Sequence, residues 1–372
     1  MSYMSSIADL RLRPSTLVVV ALFALAAGCA DLTDDAQDES AEAQTDELRR
    51  RKRPRFPACT AKTCSALGVS CGPAADGCGG TLDCGICAAP PQSPPPSNDG
   101  WSVGKRPFKA SSSWNTPIPA GATYKTLDWP ASTGWNYWVN WDAYSPAIHE
   151  AKASDPVVQV AVPAGWGYSA QTVPIHIPRG VTGAAGTDGE ILMVDGTTIH
   201  NCWQFKRTSD TAGTCAAYAR ADAVTGTGWG TKSPFLGAGI VAAGSSQYAG
   251  LIVQAETDAG EIEHALQIAL DGALQKPGPV GEAISSDGWS SSGIAQEGER
   301  FALPPGTPMP NGLSPLGQKV FRAMMKYGVF NIDVAGGTTI LRAQSNAYDE
   351  STIDALRRDV NKFMPQLRRV QF

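Results

Sequence analysis

The chain is poor in the residues and motifs on which several common enzyme classes depend. It has only four histidines among 372 residues, and no two of them are spaced as a metal-binding pair. It has no G-x-S-x-G nucleophile elbow, no H-E-x-x-H zinc-protease motif and no Walker A phosphate loop. These absences argue against the enzyme classes that the three motifs define and leave a zinc enzyme without support. We therefore expect no metal and no other cofactor.

The chain also lacks an excess of positive charge and a long hydrophobic run. Its formal net charge is -5, whereas nucleic-acid-binding proteins are usually basic, so we expect no nucleic-acid partner. The apolar run Thr16–Ala27 is shorter than the ~20 residues that a transmembrane helix needs. Because Arg11 and Arg13 precede it, the run has the pattern of a secretion signal.

Small residues directly before Cys29 give residues 1–29 the form of a lipoprotein signal peptide. The stretch Leu25-Ala-Ala-Gly-Cys29 resembles a lipobox, in which the cysteine thiol is joined to diacylglycerol after cleavage. Ala30 follows where an inner-membrane retention signal often has Asp. The pattern predicts lipidation of Cys29 and an outer-membrane location. An ordinary cleaved signal, which would give a secreted protein, is the alternative.

Nine cysteines are present, and an odd number cannot all pair. Six of them fall in the glycine-rich segment 59–87, which has too few apolar residues to build a core and is therefore predicted to be a disulfide module. Zinc binding is the alternative there, although only Cys84 and Cys87 form a tight pair. Cys202 and Cys215 are predicted to pair with each other, which leaves Cys29 for the lipid. The predicted disulfide cysteines of the module are Cys59, Cys64, Cys71, Cys78, Cys84 and Cys87.

Composition divides the remainder of the chain into linkers and one large domain. Residues 30–58 carry an acidic block followed by a basic one and are predicted to be a disordered linker. Residues 88–100 hold five prolines and are predicted to be a stiff linker. Residues 101–372 contain all ten tryptophans and are long enough to bury a sizeable core.

Short apolar runs separated by glycine and proline predict that residues 101–372 are mainly β, as a sandwich or barrel with a small α+β part at the C-terminus. Hairpins are expected across Gly196-Thr197 and across Gly336-Gly337. Helices are expected from Ser314-Pro315 to about Gly328 and over Ser351–Met364. The runs predicted as strands or buried segments are Val157–Val162, Val173–Ile177, Glu190–Asp195, Thr198–Arg207, Gly239–Ala243, Gly250–Gln254, Glu261–Leu270, Val329–Val334 and Thr338–Arg342.

Carboxylates at strand ends are the candidate catalytic groups. Asp188 lies at the start of one predicted strand, and Glu256 and Glu261 lie around the start of another. Glycoside hydrolysis needs two carboxyl groups, one as acid and one as nucleophile or base. Asp188 and either Glu256 or Glu261 are predicted to form that pair, with His264 orienting one of them. The alternative interpretations are solvated strand ends for the carboxylates and a core position for His264.

A dense aromatic block supplies candidate sugar-binding residues. Aromatic faces stack on the C–H faces of sugars, and neighbouring polar groups bind hydroxyls. Packing in the core is the alternative, because Trp is usually well buried. The predicted substrate-binding residues are Trp135, Tyr137, Trp138, Trp141 and Trp203.

Several stretches resemble a group of secreted proteins of actinobacteria and myxobacteria that is largely uncharacterised. Many members of that group have SDGH where this chain has Thr187-Asp-Gly-Glu190, a departure that leaves Asp188 rather than position 190 as the candidate. The architecture also resembles that of an outer-membrane β-1,6-glucanase of predatory myxobacteria. The stretches that carry the first resemblance are Ser113–Pro119, Gly186–Asp195, Ala249–Ile252, Gly260–Leu266, Leu313–Gly317 and Lys326–Gly328 through Gly337.

The sequence thus predicts a surface-anchored, monomeric glycoside hydrolase, an endo-β-glucanase acting on a polysaccharide such as fungal-wall β-1,6-glucan. Two alternatives remain open. A polysaccharide lyase would use Tyr137 or His200 as base and Arg207 to neutralise a uronate. A surface adhesin would bind glycan without cleaving it.

Overall fold

A computed structural model describes residues 59–70, 73–84, 100–127, 137–165, 169–232 and 235–372. The chain divides into two compact units, Met1–Pro90 and Pro91–Phe372. The predicted signal peptide, Cys29 and the predicted linkers at 30–58 and 88–99 lie outside the described residues.

The small unit is a disulfide-rich module, as predicted. Its two strands, β1 (Pro73–Ala75) and β2 (Thr81–Asp83), pair antiparallel. Disulfides join Cys59 to Cys78 and Cys64 to Cys84. Cys71 and Cys87 lie outside the described residues. The turn between the strands is closed by the Asp76 carboxylate, which accepts hydrogen bonds from two backbone N–H groups.

The large unit is mainly β, with strands in several sheets and three α-helices. The helices are α1 (Gln254–Ala259), α2 (Pro315–Lys326) and α3 (Glu350–Phe363). The strands are β3 (Thr123–Thr126), β4 (Trp138–Asn140), β5 (Ala147–Glu150), β6 (Val157–Val162), β7 (Gln171–His176), β8 (Ile191–Asp195), β9 (Thr198–Trp203), β10 (Lys206–Arg207), β11 (Ala212–Thr214), β12 (Ala217–Asp222), β13 (Thr231–Lys232), β14 (Phe235–Leu236), β15 (Leu266–Asp271), β16 (Gln275–Pro279), β17 (Ala295–Glu297), β18 (Arg300–Ala302), β19 (Val329–Ala335), β20 (Ile340–Arg342) and β21 (Arg368–Gln371).

The largest sheet has seven strands in the order β3-β21-β18-β19-β15-β20-β4. Its interior strand β15 is almost entirely buried, and α2 and α3 contribute apolar side chains to the same hydrophobic core. Two four-stranded sheets, β10-β11-β6-β7 and β12-β9-β8-β5, complete the main layers. The predicted hairpin across Gly196-Thr197 is confirmed as β8–β9, and both predicted helices are confirmed with Ser314 capping α2.

The predicted hairpin across Gly336-Gly337 is wrong. Strands β19 and β20 do not pair with each other, because β15 lies between them, parallel to β19 and antiparallel to β20. A tight turn favours local pairing, but β15 is an apolar strand that must be buried on both faces. Its insertion into the centre of the sheet satisfies that requirement and brings residues of β19 and β20 to opposite sides of β15.

Between Gly239 and Leu270, three runs were predicted as strands or buried segments, and only the third contributes a named strand. Gly239–Ala243 and Gly250–Gln254 are largely buried, and a Cβ atom at Gly239 would clash with the Ser245 carbonyl oxygen. The turn at 247–250 leads through 251–253 into α1, and in Glu261–Leu270 the chain is irregular until β15 begins at Leu266. Glu261 and His264 therefore precede the strand on which the sequence pattern placed them.

A disulfide between Cys202 and Cys215 is confirmed; it ties β9 to the segment that follows β11. Disulfides persist in oxidising compartments, which indicates an extracellular or periplasmic protein. Among the residues that the structure describes, no helix is long and apolar enough to cross a membrane.

Candidate active site

Asp333, on β19 of the largest sheet, and four other carboxyl groups form a cluster of five. Asp333 interacts electrostatically with Asp188 and Asp287, and it raises the pKa of both Glu190 and Glu297. Asp333 thus interacts electrostatically with each of the other four carboxyl groups. Burial raises the pKa of Asp333 itself, and the charges of Asp287 and Asp188 add to that effect.

Arg342 is the cation that faces this cluster. Its Nη2 atom lies 2.8 Å from a carboxylate oxygen of Asp333, and both side chains are largely buried. Arg342 stands on β20 and Asp333 on β19, on either side of β15. The β15 residue aligned with Asp333 is Ala269, whose side chain is only a methyl group. The Arg342 Nε atom has no hydrogen-bond partner. Arg342 opposes the effect of burial on Asp333 but does not cancel it.

Amide side chains hold the buried end of the cluster in place. Gln267 accepts a long hydrogen bond from Arg342 (3.5 Å) and donates one to the backbone carbonyl of Gln247. Asn331 donates to Gln275, which in turn donates to the backbone carbonyl of Asp333. Because such networks have few alternative arrangements, we infer that the carboxyl groups are fixed in position.

Glu190 is a buried carboxyl group that is partly protonated near neutral pH. Its side chain is 1% exposed, and its Oε2 atom has no hydrogen-bond partner. Burial raises its pKa to about 7, with smaller contributions from Asp188 and Asp333, while Arg342 opposes the shift. A carboxyl group is most effective in acid–base chemistry when its pKa lies near the working pH.

Glu297 forms a second protonated group at the other end of the cluster. It is fully buried on β17, and its carboxyl group contacts that of Asp287, which is exposed. Burial, followed by this contact, raises the pKa of Glu297 to about 10. Two carboxyl groups in contact share a proton, because both cannot ionise at such short range.

Replacement of Glu190 by Gln tests whether the pKa of the buried Glu190 carboxyl group is raised. A folded-state pKa of about 7, above the ordinary glutamate value of 4.5, means that wild-type stability falls as pH rises from about 4.5 through 7. The Gln variant stays neutral and avoids that loss. Relative to wild type, we expect it to gain about 3 kcal/mol in free energy of unfolding between pH 4 and pH 8. Urea unfolding at both pH values measures the difference.

The matched control is Glu261→Gln, at an exposed carboxyl group. Arg322 lowers the pKa of Glu261 through two hydrogen bonds, so its replacement cannot produce a gain at high pH. Parallel pH profiles for wild type and the Glu190 variant would show that Glu190 ionises normally.

Of the sequence-predicted catalytic residues, Asp188 belongs to the cluster. It is half-buried in the loop before β8, and its Oδ1 atom accepts a hydrogen bond of 3.3 Å from the Trp203 indole. Trp203 was predicted to bind substrate and lies beside Asp188. The backbone carbonyl of Asp188 also accepts a hydrogen bond from Gln204, so the loop is held at both its side chain and its backbone.

Glu256 and His264 contact each other rather than Asp188. Their side chains are 9% and 3% exposed and lie 2.9 Å apart, and the second ring nitrogen of His264 faces the Ala265 carbonyl oxygen at 2.9 Å. Burial alone would lower the pKa of His264, but the Glu256 carboxylate outweighs it and the pKa is raised. With acceptors at both nitrogens, the doubly protonated ring is favoured. The pair has the features of a buried ion pair of the core.

Glu261 lies at the surface. Arg322 of α2 donates two hydrogen bonds to its carboxylate, and the Glu261 side chain is 52% exposed. Glu256 and Glu261 thus interact with His264 and Arg322 respectively, and their pairing with Asp188 stays a prediction.

The predicted aromatic block is divided between core and surface. Tyr137 is 7% exposed, and Trp141 packs against the main core. Trp138 is 40% exposed, but the Arg357 guanidinium covers its ring at 4.0 Å from the centroid. Trp135 lies outside the described residues.

The residues suggested for a lyase lie on different elements. His200 is on β9, where it forms a hydrogen bond with the Tyr218 hydroxyl, and burial lowers its pKa to about 4. Arg207 is on β10 and donates to the carbonyl groups of Ile177 and Pro178. Tyr137 immediately precedes β4 of the largest sheet. The lyase hypothesis stays a prediction.

The sequence reasoning missed four members of the cluster, Asp287, Glu297, Asp333 and Arg342, and set Glu190 aside. Within the described residues, no group of three or more His, Cys, Asp or Glu side chains has the geometry to hold a metal ion. No protein-family model, curated protein or solved structure matches the chain.

Proposed function

We propose that the protein hydrolyses glycosidic bonds at the carboxyl cluster around Asp333. The observation that carries this proposal is the combination of carboxyl groups of raised pKa with a partly accessible carboxylate. Asp188 is half-buried and the Asp333 side chain is 18% exposed, whereas Glu190 and Glu297 are fully buried. Glycoside hydrolysis requires one carboxyl group that is protonated and another that is ionised.

Asp333 is the proton donor in this proposal. Burial and the neighbouring carboxyl groups raise its pKa, and its contact with Arg342 stabilises the carboxylate that remains after the proton passes to the leaving-group oxygen. Asp188 is the nucleophile or the base that activates water, held by the Trp203 indole. Glu190 and Glu297 are positioning residues, and their raised pKa values limit the negative charge of the cluster.

Location at the outer membrane through a lipid on Cys29 is part of the same proposal. The disulfides support an extracellular or periplasmic compartment, and the sequence before Cys29 resembles a lipobox. A glycan-degrading enzyme needs access to polymers that do not enter the cell, and such a location gives it that access. Mass spectrometry of the N-terminal peptide from membranes tests for the lipid.

The experiment for the activity is a polysaccharide panel with the full chain. Soluble β-1,3-glucan, soluble β-1,6-glucan and polygalacturonate are incubated separately, and new reducing ends and product masses are measured. We expect reducing ends from a neutral glucan, with products that have gained one water per cleavage. Products with the ultraviolet absorbance of an unsaturated uronate would show a lyase instead. Binding without any product would show an adhesin.

A further inference from the structure

Two exposed aromatic rings lie at the loops that carry Asp188 and Asp287. Tyr144 is 42% exposed and Trp289 is 65% exposed, whereas large apolar side chains are otherwise mostly buried in the described part of the unit. Tyr144 lies against the loop that carries Asp188 and Glu190. Trp289 follows Asp287 by two residues. Neither ring belonged to the substrate-binding residues that the sequence predicted.

Each ring rests on a glycine beside the cluster. At Gly186 a Cβ atom would lie 2.9–3.0 Å from three atoms of the Tyr144 ring. At Gly272 it would lie 2.7 Å from the indole nitrogen of Trp289 and 3.1 Å from a side-chain atom of Val334. Both contacts are closer than a side chain tolerates, so the absence of a Cβ atom lets each ring pack onto the backbone.

The backbone holds both rings in place. Tyr144 has a φ of 55°, a conformation that is unfavourable for a residue with a bulky side chain, and its N–H donates to the Ala185 carbonyl. The residue after Trp289, Ser290, donates its N–H to the Gln275 carbonyl at 2.8 Å. A ring held in this way loses little conformational entropy when it stacks on a ligand.

A groove of about 730 Å³ continues the accessible surface beyond Asp188. Its lining includes the polar residues Gln171, Thr172, Gln204 and Lys206 among small and apolar ones. Gln204 joins it to the cluster, because its N–H donates to the Asp188 carbonyl at 2.8 Å. Amide and hydroxyl groups of this kind donate and accept hydrogen bonds with the hydroxyl groups of a sugar.

We propose that Tyr144 and Trp289 are sugar-stacking platforms on the two sides of the cleavage point, and that the ligand is an internal stretch of a neutral polysaccharide. This inference rests on the proposed hydrolytic function. Rings on both sides of the acid group engage sugar units on both sides of the scissile bond, which gives endo-cleavage. Five carboxyl groups facing one guanidinium disfavour a polymer that carries uronate or sulfate groups.

The test is affinity electrophoresis of the full chain through gels that contain soluble β-glucan or polygalacturonate. All variants carry Asp188→Asn so that the polymer stays intact. We expect Trp289→Ala and Tyr144→Ala each to weaken binding to the neutral glucan about threefold to tenfold. Trp289→Phe and Tyr144→Phe, which keep a ring, retain most of the binding. Phe372→Ala is the control, because Phe372 is an 80% exposed ring at the end of β21.

The outcomes separate this inference from the proposed function. If the wild type hydrolyses glucan but both alanine variants bind it unchanged, the proposal that Tyr144 and Trp289 stack on sugar is overturned. The proposed hydrolytic function is then unaffected. Ring-dependent binding without any hydrolysis by wild type would support the platforms and overturn the catalytic proposal. Stronger retardation by polygalacturonate than by glucan would contradict the proposal that the ligand is a neutral polysaccharide. Early products of mixed length from wild type support endo-cleavage, and a single short product contradicts it.

Discussion

Replacement of Asp188 by Asn is expected to lower the rate of glucan hydrolysis by a factor of about 10²–10⁴. The amide cannot act as a nucleophile or accept a proton from water. It keeps the size of the carboxylate, and its carbonyl oxygen can still accept the hydrogen bond of 3.3 Å from the Trp203 indole. Initial rates of reducing-end release, measured at saturating glucan, give the effect on the chemical step.

Folding of the Asp188 variant should be unaffected, because the residue is half-buried at the edge of the cluster. Thermal unfolding of the variant checks this point. The matched control is Glu261→Gln, which makes the same chemical change at the exposed ion pair with Arg322. Equal loss of activity in both variants, or full activity in Asp188→Asn, would contradict the assignment of Asp188.

The local sequence was informative wherever one element decides its own structure. The alternating apolar residues of β6, the turn between β8 and β9, and the Ser-Pro start of α2 were all predictable. Cys202 and Cys215 were also predictable as a pair, because a secreted domain with only two cysteines has one way to join them.

The candidate site was mostly not predictable, because its members come together through nonlocal pairing. Asp333 and Arg342 are close in sequence, and the Gly-Gly turn suggests that their strands pair directly. Instead, their strands pair with opposite edges of β15, which precedes both of them in the sequence by about sixty residues or more. Asp287 and Glu297 lie in a loop and a three-residue strand with no periodic pattern.

Glu190 shows how burial changes the interpretation of a residue. In the sequence it is one more acidic residue at a strand start, and its departure from the SDGH pattern of the resembling proteins directed attention to Asp188. Only the fold shows that its side chain is 1% exposed and without a partner at Oε2. A carboxyl group in that environment differs chemically from a solvated one, because its charged form has lost its hydration.

Replacement of Arg342 by Met is expected to lower the free energy of unfolding by about 3–5 kcal/mol at pH 8. Met has a similar length but no charge, so Asp333 is left buried without a cation. The pKa of Asp333, already raised by burial and by its neighbouring carboxylates, rises further. A carboxyl group whose folded-state pKa is raised loses stability as pH rises, so the deficit should be smaller at pH 5 than at pH 8.

Arg322→Met is the matched control for Arg342, because Arg322 also pairs with a carboxylate but is 44% exposed. An exposed pair contributes about 0.2–1 kcal/mol, and water solvates the carboxylate that remains. Urea unfolding of both variants at both pH values separates the two cases. If Arg342→Met lowers the free energy of unfolding no more than Arg322→Met does, the Arg342 guanidinium does not offset the charge of the buried carboxyl groups. The electrostatic basis for treating Asp333 as the centre of a catalytic cluster would then be lost, because its proton would be held without any cation to stabilise the carboxylate that catalysis must produce.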